Sequence, residues 1–156
     1  MPICNRGHLQ VTPSGVEGDP THLRREGARL VCEIRVDSSD VQAIDVSERG
    51  TPPAVSGVLV VDTGAGMTAI DESVLMQLGI VSITDRKVFT PMGSAIQRIY
   101  PCSIEFPDSN VPAVRSLFVL GSDLGNQGIL GLLGRDVLEH GLFIYNGASG
   151  GWTLAF

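Results

Sequence analysis

Asp62-Thr63-Gly64-Ala65 stands directly behind the apolar run Gly57-Val58-Leu59-Val60-Val61. A strand that ends in a carboxylate, a hydroxyl and a residue without a side chain can present an acid at the mouth of a site, brace it, and let another backbone approach closely. Hydrolysis of a peptide bond without a metal or a covalent intermediate needs a base for water and an acid for the carbonyl or the leaving nitrogen. Two carboxylates about 3 Å apart do both jobs, because like charges at that separation share one proton. The titration then belongs to the pair. Asp62 can supply one carboxylate of such a pair. The tetrad occurs once in the chain, so a chemistry that needs two must find the second on another copy.

The surrounding sequence reads as a β-rich scaffold for that acid. Residues 28–37 alternate, with Leu30, Cys32, Ile34 and Val36 on one face and Arg29, Val31, Glu33 and Arg35 on the other, the period of a half-buried strand. Residues 38–40 form a turn, 41–46 can return as a partner strand, and 48–53 are a polar loop. Residues 56–61 read as a strand buried on both faces. Asp71 is placed as an N-cap for a short helix over 72–78, with Gly79 past its end. Residues 87–90 and 95–106 predict a hairpin whose tip is Pro91-Met92-Gly93-Ser94. Residues 114–120 are a strand and 122–128 a polar loop. Ile129-Leu130-Gly131-Leu132-Leu133-Gly134-Arg135-Asp136 leads into a second helix over 135–140, stopped by Gly141. Strands 142–145 and 152–156 close the chain around the loop 146–151. Residues 1–27 lack periodicity and are expected as a loosely held, partly flexible arm with one strand near 9–12, leaving 28–156 as the main domain. The order strand, glycine turn, short helix appears at 57–79 and again at 129–141, and only the first copy carries the acid.

Composition narrows the function classes. The 156 residues suit one domain with a real core. A content of 43% hydrophobic and 18% charged residues argues against disorder, and 19 glycines with 9 prolines tilt the class toward β. The net charge of −6 leaves no basic footprint for nucleic acid. Cys4, Cys32 and Cys102 lie far apart and form neither a disulfide framework nor a zinc pattern, and His8, His22 and His140 fall into no metal-binding motif. No segment has the length and apolarity of a membrane span or the pattern of a signal peptide. The expected location is cytoplasmic, although a fragment of a longer precursor would read the same way. No cofactor, metal, membrane or nucleic-acid partner is expected.

Asp62-Thr63-Gly64-Ala65 after an apolar strand, Leu132-Leu133-Gly134-Arg135-Asp136 downstream, and the ending Trp152-Thr153-Leu154-Ala155-Phe156 together resemble the retropepsin-like aspartic proteases. The resemblance spans about residues 28–156. It implies an all-β, closed barrel-like acid-protease fold with two short helices, assembled as a homodimer in which each subunit gives one aspartate, acting on peptide or protein substrates. By position, Asp62 becomes the catalytic acid/base. Thr63 links the two active-site loops across the dimer axis, and Gly64 offers its carbonyl to the substrate backbone. Gly134 and Arg135 support the loop with Ala65 from behind. Pro91, Met92, Gly93 and Ser94 form the flap tip, with Ile96 nearby as an apolar substrate contact. Trp152, Thr153, Leu154, Ala155 and Phe156 enter a sheet shared between subunits. One departure stands out: where the viral enzymes commonly carry a second acid that engages the arginine of the downstream motif, this chain has Gly66. Arg135 therefore needs another partner, either Asp136 of the other chain or a backbone carbonyl.

The sequence also admits three rival readings. Gly64-Ala65-Gly66-Met67-Thr68-Ala69 matches a dinucleotide fingerprint with Asp85 about twenty residues on, but Asp62 and Thr63 intervene between strand and glycines, and the rest of the chain is not βαβ. Gly147-Ala148-Ser149-Gly150-Gly151 matches a serine-hydrolase elbow, yet only five residues follow it. A catalytically weak or inactive dimeric peptide-binding module keeps the fold and drops the chemistry.

Overall fold

The computed structural model describes residues 2–7, 9–13, 15–37, 54–90 and 93–156. In chain order its elements are β1 (Ile3–Gly7), β2 (Leu9–Thr12), β3 (Gly15–Gly18), α1 (Pro20–Glu26), β4 (Arg29–Arg35), β5 (Val55–Val61), β6 (Ala69–Asp71), α2 (Glu72–Gln77), β7 (Thr84–Thr90), β8 (Gly93–Glu105) and β9 (Val114–Ser122). A single turn of 3-10 helix (Gly125–Gln127) leads to β10 (Gly131–Leu133), α3 (Arg135–Leu138), β11 (Leu142–Asn146) and β12 (Gly151–Ala155). The expected return strand at 41–46 and the loop at 48–53 lie outside the described residues.

The described residues are mostly β with three α-helices, where two were expected. The additional one is α1. Asp19 accepts from the His22 N–H at 2.9 Å, Pro20 opens the first turn, and Gly27 ends it at φ 75°. Those are an N-cap, a proline where its missing N–H costs nothing, and a glycine stop. Leu23 is fully buried and anchors the helix to the core. The hairpin β2–β3 pairs Leu9 with Gly18 through Thr12 with Gly15.

Among the described residues the main sheet has seven strands in the order β4-β5-β10-β6-β9-β8-β7, and β4 also pairs with β8. The alternation at 28–37 is realised in β4, where Leu30, Cys32 and Ile34 are buried and Val31 and Arg35 are exposed. The position of β10 matters most for function. It runs parallel to β5, with Leu133 beside Val61, and antiparallel to β6. The chain leaves β5, loops out and returns as β6, and β10 later threads between them. That topology sets the loop after β5 and the turn after β10 side by side at one end of the sheet.

A separate three-stranded sheet has the order β1-β12-β11. Residues 152–156, expected in a sheet shared between subunits, fall in this sheet of the one chain. β12 is a central strand, paired antiparallel with β1 on one side and β11 on the other, so it offers no free edge to a partner. Trp152, Leu154 and Ala155 are buried within their own chain. Thr153 donates its hydroxyl to Asn5 at 2.6 Å, and the Phe156 N–H donates to Pro2 O at 3.1 Å. By register, Ile3, Leu142 and Ile144 share the opposite face from Trp152 and Leu154, and all three are exposed.

One large core joins β4, β5, β8, α2 and β12, through fully buried Ile34, Leu59, Leu75, Ile104 and Leu154 among others. Fully burying a side chain of this size contributes roughly 1.5–3 kcal/mol. The three cysteines lie buried as free thiols, and burial pushes Cys32 and Cys102 up to about 12. Asp37 is a buried carboxylate that accepts from Ser103 Oγ at 2.7 Å, from Ser116 Oγ at 3.1 Å and from the Ser116 N–H. It ties β8 to β9, where Ser116 takes a positive φ of 53°.

Candidate active site

Asp62 follows the last residue of β5, and its N–H donates to Leu133 O at 3.0 Å, continuing the β5–β10 ladder by one bond. The loop then turns sharply. Gly64 N–H donates to Asp62 Oδ1 at 2.8 Å, and Ala65 N–H donates to Asp62 O at 3.2 Å. A carboxylate that accepts a bond from its own loop has its orientation set before any ligand arrives. Asp62 is half-buried, whereas Thr63 and Gly64 are exposed.

The loop is held from the other side by the turn after β10. Arg135 reaches across and donates through Nη1 to Thr63 O at 2.7 Å and to Gly64 O at 3.0 Å, while its own N–H donates to Ala65 O at 3.0 Å. Arg135 thus engages backbone carbonyls. A Cβ on Gly66 would stand 3.6 Å from Arg135 Nη2, in open contact with the guanidinium. Because Gly64 O already accepts from Arg135, that carbonyl has one lone pair in use.

Asp136 and Thr68 are site-supporting residues whose pairing the sequence reading did not find. Asp136 accepts from Thr68 N–H through Oδ2 and from Thr68 Oγ1 through Oδ1, both at 2.8 Å, and from the Val137 N–H at 3.0 Å. The Thr68 hydroxyl in turn accepts from Gly134 N–H at 3.0 Å. Thr68 is fully buried, so each of these bonds is costly to break. Gly134 is needed for the close approach: a Cβ there would fall 2.6 Å from Thr68 N and 2.7 Å from Met67 O. The signal present in the sequence was the helix-start acid Asp136, but its long-range partner is set by the β10 insertion.

Behind the loop, Asp71 caps α2. It accepts from Ser73 N–H at 2.9 Å, from Leu124 N–H at 2.8 Å and from the Ser73 hydroxyl. Burial pushes this carboxyl upward, but the bonds from Ser73 and Leu124 outweigh it and hold Asp71 below the usual aspartate range. On α2, Glu72 accepts from Tyr100 Oη at 2.6 Å and pairs with Arg98 at 2.8 Å. The base of β8 is thereby fixed to the helix. Burial, then the Glu72 hydrogen bond, pushes Tyr100 up to about 12.

Asp62 opens onto a cleft of about 720 Å³ that runs from the loop to the β7–β8 hairpin. Its walls include Gly64, Ala65, Met67, Leu120, Leu132 and Val88, with Arg86, Lys87 and Phe89 on the hairpin side. Asp62 is the one carboxylate among the described residues that line it. Gln97 closes the far side and donates to Ser122 Oγ at 2.9 Å.

The expected flap residues separate. Pro91 and Met92 lie outside the described residues. Gly93 and Ser94 begin β8, opposite Thr90 and Phe89. Ile96 is exposed but does not line the cleft; it pairs with Lys87 across the hairpin. β7, the outermost strand, contributes four consecutive residues to the wall instead, Arg86 to Phe89. Among the described residues, no group of three or more His, Cys, Asp or Glu side chains could hold a metal ion. No helix among them is long and apolar enough to cross a membrane.

Among solved structures, the chain is similar to the crystal structure of a retropepsin-like aspartic protease from Rickettsia conorii, at 15% identity and a TM-score of 0.49, covering 99% of this chain and 92% of that one. No family model matches the chain, and no curated protein matches it. A likeness this distant assigns no chemistry; the residues of the cleft must do so.

Proposed function

We propose that this protein is an aspartic endopeptidase whose active site forms between two copies of the chain, each giving Asp62. The observation that carries the reading is Asp62 itself: a carboxylate at a strand end, oriented by its own loop and open to a cleft of about 720 Å³ in which it is the one acid among the described lining residues. One carboxylate can take a proton from water but cannot at the same moment donate a hydrogen bond to the scissile carbonyl. A twofold-related Asp62 within about 3 Å supplies that second function, with one proton shared by the pair. The β4–β8 pairing, which brings the sheet order back on itself, supports a closed barrel.

Each residue around the acid has a task in this scheme. Asp62 of one copy removes a proton from water while its counterpart hydrogen-bonds the scissile carbonyl; roles reverse as the leaving nitrogen takes the proton. Thr63, exposed beside Asp62, meets its counterpart at the axis. Arg135 and Gly134 keep the loop from yielding when two like charges are brought together. An extended peptide fits between loop and hairpin by strand-like pairing, with apolar side chains against Met67, Leu120 and Leu132. Since β12 has no free edge, the remaining subunit contact falls to uncovered apolar surface such as Ile3, Leu142 and Ile144, in an isologous arrangement.

The test is cleavage of a mixed peptide library by the wild-type protein and by Asp62→Asn. The wild type cleaves internal bonds, is blocked by a statine-type transition-state mimic and is indifferent to chelators and to serine and cysteine reagents. Retained cleavage in Asp62→Asn sinks the reading.

A further inference from the structure

Resting on the peptidase reading, we propose that the cleft selects peptides with an acidic side chain beside the apolar residues, recognised by Arg86 and Lys87. The chain as a whole is acidic, with 17 Asp and Glu against 11 Lys and Arg. Yet the hairpin wall of its cleft is cationic, and Asp62 is reserved for chemistry.

The argument rests on what these two cations do compared with the other arginines. Arg25 and Arg29 pair with Glu26, Arg35 pairs with Glu105, and Arg98 pairs with Glu72, while Arg6, Arg24 and Arg115, which have no carboxylate pair among the described residues, do not line the cleft. Arg135 is committed to two carbonyls. Arg86 instead places Nη1 2.7 Å from Met67 Sδ, and a thioether is a weak acceptor. Lys87 lies over the Phe89 ring at 5.4 Å, a contact that orients an ammonium without using its hydrogen-bond donors. Neither has a carboxylate within 4.0 Å among the described residues, and both are exposed.

Their setting points to a peptide carboxylate. Arg86 shares a hairpin face with Val88 and, by register, with Gln97, all lining the cleft. Asp85, its neighbour in sequence, falls on the other face opposite Arg98. Lys87 shares that second face with Asp85 and, by register, Ile96, and its ammonium lies over the Phe89 ring where the hairpin borders the cleft. The Met67 contact holds the guanidinium over an apolar floor, and a guanidinium presents a planar fork suited to one bidentate carboxylate. In an extended peptide whose apolar side chain sits on Met67, the side chain two positions along shares that face and comes to Arg86.

Binding can be read without hydrolysis. Fluorescein-labelled ten-residue peptides sharing one apolar centre and flanked by Glu, Gln or Lys are titrated against Asp62→Asn by anisotropy. Reduced-amide versions of the Glu and Lys peptides are titrated against the wild type. The Glu peptide binds about five- to tenfold tighter than the Lys peptide at low salt, and the gap shrinks at high salt. Combining R86E and K87E inverts the order. Equal affinity for Glu, Gln and Lys peptides, or an order that survives the charge reversal, overturns the proposal. Wild-type hydrolysis of the Gln peptide separates the two claims. If it is cleaved but shows no charge preference, the proposal fails and the peptidase reading stands. A charge preference without any hydrolysis does the reverse, and failure to bind any peptide contradicts both.

Discussion

The loop that carries Asp62 and the hairpin that faces it across the cleft are built in opposite ways. The loop is tied on every side: Arg135 holds its carbonyls, Gly134 packs against its backbone, and Asp136 fixes Thr68 at its exit. The hairpin is anchored at its base through Tyr100, Arg98 and Glu72. Further out it depends on its own ladder, the Gln97–Ser122 bond and the Arg86 contact with Met67, and it leaves Phe89 and Ile96 78% and 75% exposed. An acid that must meet a like charge needs a loop that cannot relax away. A wall that must admit an extended peptide needs surface that the fold has not already used. On the proposed reading, stability and chemistry lie on one side of the cleft, and recognition on the other.

The comparison breaks most visibly at Asp62. Asp62→Asn keeps the Gly64 bond, because the amide oxygen can still accept, so thermal unfolding stays within about 0.5 kcal/mol of wild type. Peptide hydrolysis falls by roughly a thousandfold or more, the scale of a lost acid/base group. A large loss of stability in this variant would place Asp62 among the structural supports.

Next in size is the brace. Thr68→Val conserves volume but removes the donor to Asp136 and the acceptor for Gly134 N–H. Leaving these buried groups unpaired costs about 1–3 kcal/mol, measurable by urea unfolding. Hydrolysis falls as well, since the loop loses its exit anchor. If stability is lost and activity is untouched, the loop and the brace are uncoupled.

A smaller effect tests the support by pH. The folded state holds Asp71 below the usual aspartate range, so its ionised form stabilises the fold above its unfolded pKa of about 3.9. That contribution is lost as pH falls from about 4 through the lower folded value. Asp71→Ala removes the cap of α2, costs about 0.5–2 kcal/mol at neutral pH, and flattens this part of the stability profile. A wild-type curve as flat as the variant's would refute the assignment.

The smallest change in stability comes from the hairpin. Phe89→Ala and Ile96→Ala each shift unfolding by no more than about 0.5 kcal/mol. Phe89 lines the cleft and Ile96 does not, so KM rises severalfold for the first and stays near wild type for the second. Equal effects would move the peptide path onto the β8 face of the hairpin.

Much of this was legible in the sequence wherever the cause is local. The alternation in β4, the Asp71 cap and the Asp62 turn are fixed by residues within a few positions of one another. The helix α1 was equally local: Asp19, Pro20 and Gly27 are a start and a stop, hidden because the segment between them has only Leu23 to bury. What stayed out of reach depends on distant pairing. Nothing near Asp136 announces Thr68, 68 residues away, because the contact exists only once β10 has inserted between β5 and β6. The placement of β12 inside its own chain likewise needs β1, at the far end of the sequence. The cationic wall has another cause: the cleft runs along β7, and nothing in the residues 86–89 themselves marks which strand of a hairpin faces a cleft.

The central claim is that one active site draws an aspartate from each of two chains. It is tested most directly by titrating Asp62→Asn protein into a fixed amount of wild type under exchange conditions, at saturating peptide. Mixed dimers with one aspartate are inactive, so the hydrolysis rate should fall progressively as the variant is added. A rate that stays constant at every ratio, with wild-type protein sedimenting as a monomer in the same buffer, would contradict the account.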